Sequence, residues 1–121
     1  MSIRAIRGAI QVSSNSVDSI VDGASLLLGG VLAGNALDAD DIISILFTLT
    51  PDLTAAFPAV AARRLGLVSV PLMCATEVDV PGSLPRVIRL MAHVDTRLAR
   101  SAVRHVYLGG AEALRPDLVR Q

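Results

Sequence analysis

The residues of this 121-residue chain best suited to chemistry are arginines set in apolar surroundings. Arg7 interrupts the run I-R-A-I-R-G-A, Arg89 interrupts V-I-R-L-M-A-H-V, Arg63 lies in an alanine-rich stretch, and Arg115 comes near the C-terminus. A guanidinium keeps its charge at any working pH and grips a carboxylate through a planar fork. All eleven basic residues are arginine, a preference that codon bias explains as a whole. Arg7 and Arg89 still stand out, because both fall within predicted strands. If buried there, each needs a partner, since an unpaired buried charge is very costly. The chain has only two glutamates, Glu77 and Glu112. A bound dianionic ligand is one solution. For Arg63, Arg64, Arg97, Arg100, Arg104 and Arg120, taken singly, an ordinary ion pair or solvent exposure is the simpler reading.

Other chemistries lack their motifs. There is no Cys/His spacing for a structural metal, no phosphate-binding glycine loop and no nucleophile elbow. His93 and His105 have no neighbouring serine or aspartate in sequence, and each reads as a strand residue with a satisfied hydrogen bond. Cys74 follows an apolar run and reads as a small packing residue rather than a nucleophile.

The elements that must position these residues follow from the spacing of apolar side chains. Residues 3–12 alternate as a strand, with Gly8 marking a bulge or a close backbone approach. Ser13–Ser16 supply N-cap candidates, and apolar residues at helical spacing from Val17 to Leu32 predict a helix ending near Gly34 or Asn35. A short helical turn is expected over 38–41. A buried β-branched strand is expected over 42–50, and a second helix over 59–65 between Pro58 and Gly66. Further strands are expected over 68–73, 87–94 and 104–108, with one helical turn over 111–114. The pattern is a single α+β domain over residues 1–121, with helices on one side of a mixed sheet.

Composition bounds the rest. Hydrophobic residues make up 52% and charged residues 18%, with zero net charge, so the chain reads as a core-forming globular protein. No basic run suggests a nucleic-acid partner. A single cysteine rules out an internal disulfide and suits a reducing compartment. No uncharged apolar run reaches about 18 residues, so neither a membrane span nor a signal peptide is expected, and a cytoplasmic location is. A short apolar chain leaves room for an oligomer interface.

Four segments together resemble the AroH-class chorismate mutases. They are I-R-A-I-R-G-A, T-P-D-L-T-A-A-F-P-A, V-P-L-M-C-A-T-E-V-D-V-P-G with the following V-I-R-L-M, and R-H-V-Y-L-G-G-A-E-A-L-R-P-D-L. The resemblance spans nearly the whole chain in order, and the last segment is the most specific. It implies an isomerase that rearranges chorismate to prephenate in aromatic amino-acid biosynthesis. The implied assembly is a pseudo-barrel homotrimer with its sites between subunits, and the implied chemistry needs no cofactor and no metal. By the same resemblance, Arg7 and Tyr107 bind one substrate carboxylate, and Arg63 of a neighbouring subunit helps with the other. Arg89 lies beside the ether oxygen of the breaking bond. Glu77 and the Met73–Cys74 region contact the ring hydroxyl. Phe57, Ala59 and Leu114 form an apolar wall, and Arg115 orders the C-terminal segment. Arg89, Glu77 and Arg7 are thus the expected catalytic residues.

Two positions depart from the family pattern. Val60 stands where a lysine is frequent, and Met73 where a threonine is, so one carboxylate contact and one hydroxyl contact are lost. The competing readings are a trimeric enamine/imine deaminase of the RidA type, whose C-terminal proline and glutamate pattern is missing here, and a non-catalytic ligand-binding or partner-binding trimer.

Overall fold

Alternation along residues 2–11 decides the two faces of the fold. Ile6, Gly8 and Ile10 turn to one side and are buried, whereas Ala5, Arg7 and Gln11 turn to the other. The computed structural model describes residues 1–114, and among these the strand over 2–11 is β1 (Ser2–Gln11) of a mixed sheet. The other strands are β2 (Ile42–Leu49), β3 (Leu72–Thr76), β4 (Val87–Thr96) and β5 (Val106–Leu108), in the spatial order β3-β2-β4-β1-β5. The central β4 runs antiparallel to β1 and β2, while the outer β5 and β3 run parallel to β1 and β2.

Helix α1 (Val17–Gly34) covers one face of the sheet. Ser16 caps it, accepting the Ser19 N–H at 3.2 Å. Its buried stripe of Ile20, Val21, Ala24, Leu27, Leu28 and Val31 packs on Ile6, Ile45, Phe47, Ile88, Leu90 and Val94 of the sheet. Each such side chain contributes roughly 1.5–3 kcal/mol by leaving water. α1 is long and apolar enough to cross a membrane by length and composition. Its apolar stripe is spent on the sheet instead, and Asp18 and Asp22 lie in its first turns.

Two glycines set how closely helix and sheet approach. A Cβ on Gly8 would come within 2.9 Å of Leu27 Cδ1, and one on Gly23 within 2.4 Å of Val12 Cγ1. Gly8 is therefore the close approach read from the sequence. The pairing of β1 with β4 runs unbroken past it, and the irregularity in the sheet falls in β2 between Ile42 and Ser44.

Helix α2 (Val60–Arg64) packs on α1, so both helices occupy the same side. It is one residue shorter at each end than the predicted 59–65. At the entry to β4, Arg86 adopts a positive φ of 54°, and the Asp52 carboxylate accepts its N–H at 2.9 Å. The Thr50 hydroxyl and this N–H hold the Asp52 carboxyl below its ordinary range.

Two strands begin later than the sequence pattern suggests. The strand predicted over 68–73 lies at Leu72–Thr76, because Pro71 has no N–H for the ladder, although its carbonyl accepts from Ile45. The strand predicted over 104–108 is confined to Val106–Leu108. Arg104 and His105 are engaged differently: Asn35 Oδ1 accepts the Arg104 N–H at 2.7 Å, and His105 Nδ1 accepts the Arg7 N–H at 2.9 Å.

Asn35 is 3% exposed and also donates Nδ2 to the carbonyls of Val31 and Arg104 at 2.9 Å. It ties the end of α1 to the lead-in of β5. Asn35→Ala is expected to lower unfolding stability by about 2 kcal/mol, because three backbone groups, the Arg104 N–H and the Val31 and Arg104 carbonyls, lose a partner. Asn35→Asp should be no better, since a carboxylate cannot donate to either carbonyl. Urea unfolding checks both, and an unchanged midpoint for Asn35→Ala would remove Asn35 from this role.

Candidate functional site

The sheet face opposite α1 carries the candidate residues in register. Tyr107 on β5 lies opposite Ala9 on β1, Ala9 opposite Arg89 on β4, and Arg89 opposite Thr48 on β2. One row further along the strands, Arg7 faces Met91, and Met91 faces Leu46. Side chains of alternate residues share a face, so this register gathers Arg7, Arg89, Tyr107 and Thr48. They line a cleft of about 320 Å³ together with Leu46 and Leu114. Tyr107 is buried in a small apolar cluster with Ala9, Val87 and Ala111, and Leu84 and Leu114 pack against it.

The electrostatics of the cleft centre on one carboxylate. Glu77, just past β3, is pinned by its N–H on the Leu49 carbonyl at 2.8 Å. Its Oε2 lies 3.2 Å from Arg89 Nε and accepts the Thr48 hydroxyl at 2.6 Å. The Arg89 side chain is 45% exposed and that of Glu77 is 18% exposed. With Nε committed to Glu77, both terminal nitrogens of Arg89 are left for a ligand. With Oε2 committed to Thr48 and Arg89, Oε1 of Glu77 is left as an acceptor. Among the described residues, the Arg7 side chain has no ion pair or hydrogen-bond partner.

The condition under which Arg7 and Arg89 would each need a buried partner is not met in the single chain. Arg7 and Arg89 are exposed in the single chain, because the face they share is not covered by the chain's own helices. Arg89 also has a protein counter-ion, Glu77. Thr48 was not among the residues singled out from sequence. Nothing in its local context distinguishes it from other strand threonines, and only the register of β2 on β4 brings it to Arg89.

The remaining candidates gather elsewhere. Phe57 and Cys74 line a separate cleft of about 420 Å³ with Leu49, Leu53 and Thr76 at the β3 edge. Cys74 is half-buried on the core side of β3, beside Phe47, as a packing residue would be. Met73 points the other way and is 70% exposed. Ala59 precedes α2, and Arg63 is exposed on it, with no ion pair among the described residues. Phe57, which lines this second cleft, is 71% exposed, and Val60 at the start of α2 is 40% exposed. Arg115 lies outside the described residues. The two histidines have the ordinary roles expected of them: His93 Nδ1 faces the Ser44 hydroxyl at 3.4 Å, and His105 accepts from Arg7. Among the described residues, no cluster of His, Cys, Asp or Glu is arranged to hold a metal ion.

Comparison with known proteins shows the family to which the chain belongs. The family model of chorismate mutase type I matches residues 3–118. The chain is 48% identical over 117 residues to chorismate mutase AroH of Thermus thermophilus, covering 96% of each chain. It is 41% identical over 119 residues to chorismate mutase AroH of Bacillus subtilis (strain 168), covering 98% of this chain and 94% of that one. Among solved structures, a chorismate mutase from Clostridium thermocellum superimposes with a TM-score of 0.89 at 53% identity, covering 90% of this chain and 97% of that one. A resemblance that began in four short segments thus extends through sequence and fold alike: this chain belongs to the type I, AroH-class chorismate mutases, and is an isomerase.

Proposed function

We propose that the cleft between Arg7, Arg89 and Tyr107 rearranges chorismate to prephenate, and that a second copy of the chain completes it in a homotrimer. The observation that carries this reading is the division of the candidate residues. Arg7, Arg89, Tyr107, Leu114 and Glu77 gather on the open face of the sheet, while Phe57 and Cys74 line a different cleft at the β3 edge. A single chain therefore presents two half-sites. Docking the β3 edge of one copy on the open face of the next brings Phe57, Ala59, Arg63, Met73 and Cys74 over the cleft. It also covers the exposed apolar side chains of Phe57, Val60, Met73 and Leu46. A cyclic arrangement repeats that heterologous contact and closes.

The reaction is a [3,3] rearrangement in which a C–O bond breaks as a C–C bond forms. It needs no external nucleophile, acid, base or cofactor. The protein's first task is to hold the enolpyruvyl arm over the ring. Arg7 with Tyr107 takes one carboxylate and the partner's Arg63 the other, and orientation of this kind is worth up to roughly 7–11 kcal/mol. The second task is electrostatic. Negative charge grows on the ether oxygen as its bond lengthens, and the free terminal nitrogens of Arg89 meet it there. Glu77 Oε1 accepts the ring hydroxyl and offsets part of the positive charge. Leu114 and the partner's Phe57 and Ala59 supply the apolar wall, and Arg115 helps order the C-terminal segment over it. A cytoplasmic, single-domain enzyme that binds neither nucleic acid nor membrane is part of the same reading.

The test is direct. Adding purified protein to chorismate should abolish the chorismate absorbance, which the chain barely obscures with no tryptophan and one tyrosine. Light scattering should give the mass of three copies. A protein that leaves chorismate unchanged, or is fully active as a monomer, would overturn the proposal.

Thr48 supplies a finer test. Thr48→Val keeps a β-branched strand residue but removes the hydroxyl that fixes Glu77. It should lower kcat about tenfold with little change in KM, because a hydrogen bond to a charged group is worth roughly 1.5–3 kcal/mol. Thr48→Ser should restore most of the loss. A Thr48→Val enzyme with normal kcat would show that Glu77 needs no such support.

A further inference from the structure

A larger cavity, of about 450 Å³, lies beside the proposed substrate cleft and shares Arg7 and Met91 with it. It opens along the free edge of β1. β5 pairs only with Gly8, Ala9 and Ile10, which leaves residues 3–7 uncovered on that side. Arg4 and Arg7 from β1, His93 from β4, Arg100 from the 3₁₀ turn Arg100–Ala102 and His105 ahead of β5 converge on it. No carboxylate lines it among the described residues, although the whole chain carries eleven acids against eleven bases.

The cavity presents donors, and several are fixed. Arg4 donates Nε to the Leu98 carbonyl at 3.1 Å and Nη1 to the Ile3 carbonyl at 3.3 Å, which lays its guanidinium along the edge. His105 Nδ1 accepts the Arg7 N–H at 2.9 Å, which holds the ring against the edge of β1. That Arg7 N–H points away from β4. Ala5, two residues earlier on the same strand, directs its own N–H to the same uncovered side. Arg4, Arg7 and Arg100 have no ion pair among the described residues; like charges so placed repel one another and raise the local potential, which attracts a multivalent anion. Guanidinium forks match its oxygens.

We infer that this cavity binds a small multivalent oxyanion, a phosphate or a dicarboxylate, at a site separate from the substrate cleft but coupled to it through Arg7. An oxyanion that engages the Arg7 fork withdraws it from the substrate carboxylate, so occupancy raises the KM for chorismate. The coupling is reciprocal: bound substrate weakens oxyanion binding by the same factor. The coupling rests on the role of Arg7 proposed above, whereas the site itself does not.

The experiment titrates the intact protein with inorganic phosphate, and separately with succinate, by calorimetry at fixed ionic strength. It compares wild type with Arg100→Ala and Arg4→Ala, neither of which belongs to the substrate cleft. Saturable binding to wild type, weakened about tenfold in each variant, is expected, since a charge-assisted contact of about 1.4 kcal/mol corresponds to that factor. Preference for phosphate or for succinate identifies which source the site suits. In turnover assays the bound anion should raise the wild-type KM several-fold, and this rise should be lost in Arg100→Ala, whose activity without the anion is unchanged. No saturable binding, binding equal in all three proteins, or equal inhibition of all three would overturn the site. Oxyanion binding in a protein inactive on chorismate would leave the site standing and sink the proposed function instead.

Discussion

Arg89→Ala is expected to lower kcat by about 10³-fold or more while leaving the fold intact, which is the scale of removing one preorganised donor from a developing oxyanion. The expectation follows from where the side chain lies. Arg89 projects from β4 into the cleft, and its Nε is already held by Glu77 at 3.2 Å. Its position is set before substrate arrives, so its terminal nitrogens need no reorganisation as charge accumulates on the ether oxygen. The effect should fall on kcat, because an interaction that strengthens only in the transition state does not tighten ground-state binding. Stability should change little. The side chain is 45% exposed, and an ion pair so placed contributes at most about 1 kcal/mol. Citrulline at position 89, installed by semisynthesis, keeps the shape and most donors but loses the charge, and should be almost as inactive as alanine. Single-turnover kinetics with circular dichroism on the same samples separates chemistry from folding. Near-normal turnover in a folded Arg89→Ala protein would refute the role.

The arrangement around Arg89 also marks what a sequence discloses and what it withholds. The strand that carries Arg89 was legible despite its ambiguous apolar spacing, because Pro85 stands ahead of it, but Asp95 and Thr96, read as its stop, belong to it and pair with Ile3 and Ser2 of β1. α1 was legible to within a residue, since a serine N-cap, four turns of apolar spacing and Gly34-Asn35 all agree. The strand around Cys74 was misplaced because Val68, Val70 and Leu72 alternate well, yet Pro71 has no N–H to donate to a ladder; the register with β2 starts just beyond it, at Leu72. Pairing across the sheet was not legible at all. Thr48, Glu77 and Arg89 lie far apart in sequence, and only the register Thr48↔Arg89 joins them. For the same reason the counter-ion of Arg89 went unassigned, and a dianionic ligand was invoked for a charge that Glu77 already partners. Sequence spacing reports which face a residue takes. It does not report what the neighbouring strand puts beside it.

Division of the candidate residues between two clefts leads to a second large effect, which appears only on mixing. Arg63→Glu places a negative charge where a substrate carboxylate is proposed to bind, and should be as inactive as Arg89→Ala. If each site takes its Arg89 from one copy and its Arg63 from the next, the two variants are defective in different halves. Unfolding them together and refolding at equal ratio scrambles the copies. In a closed ring with one such contact per site, half the sites draw an intact Arg89, and half of those an intact Arg63, so about a quarter of wild-type activity should return from two inactive parents. The regained kcat per intact site should equal that of the wild type, because an intact site contains no altered residue. The exposed apolar side chains of Phe57, Val60 and Met73 are what the proposed trimer would cover, and refolding together ensures that the copies are scrambled whatever the exchange rate of that interface. A mixture that stays as inactive as its parents, although native mass spectrometry resolves rings containing both variants, would mean that Arg63 and Arg89 act within one chain or that Arg63 takes no part. Either result would dissolve the shared-site proposal while leaving the role of Arg89 to its own test.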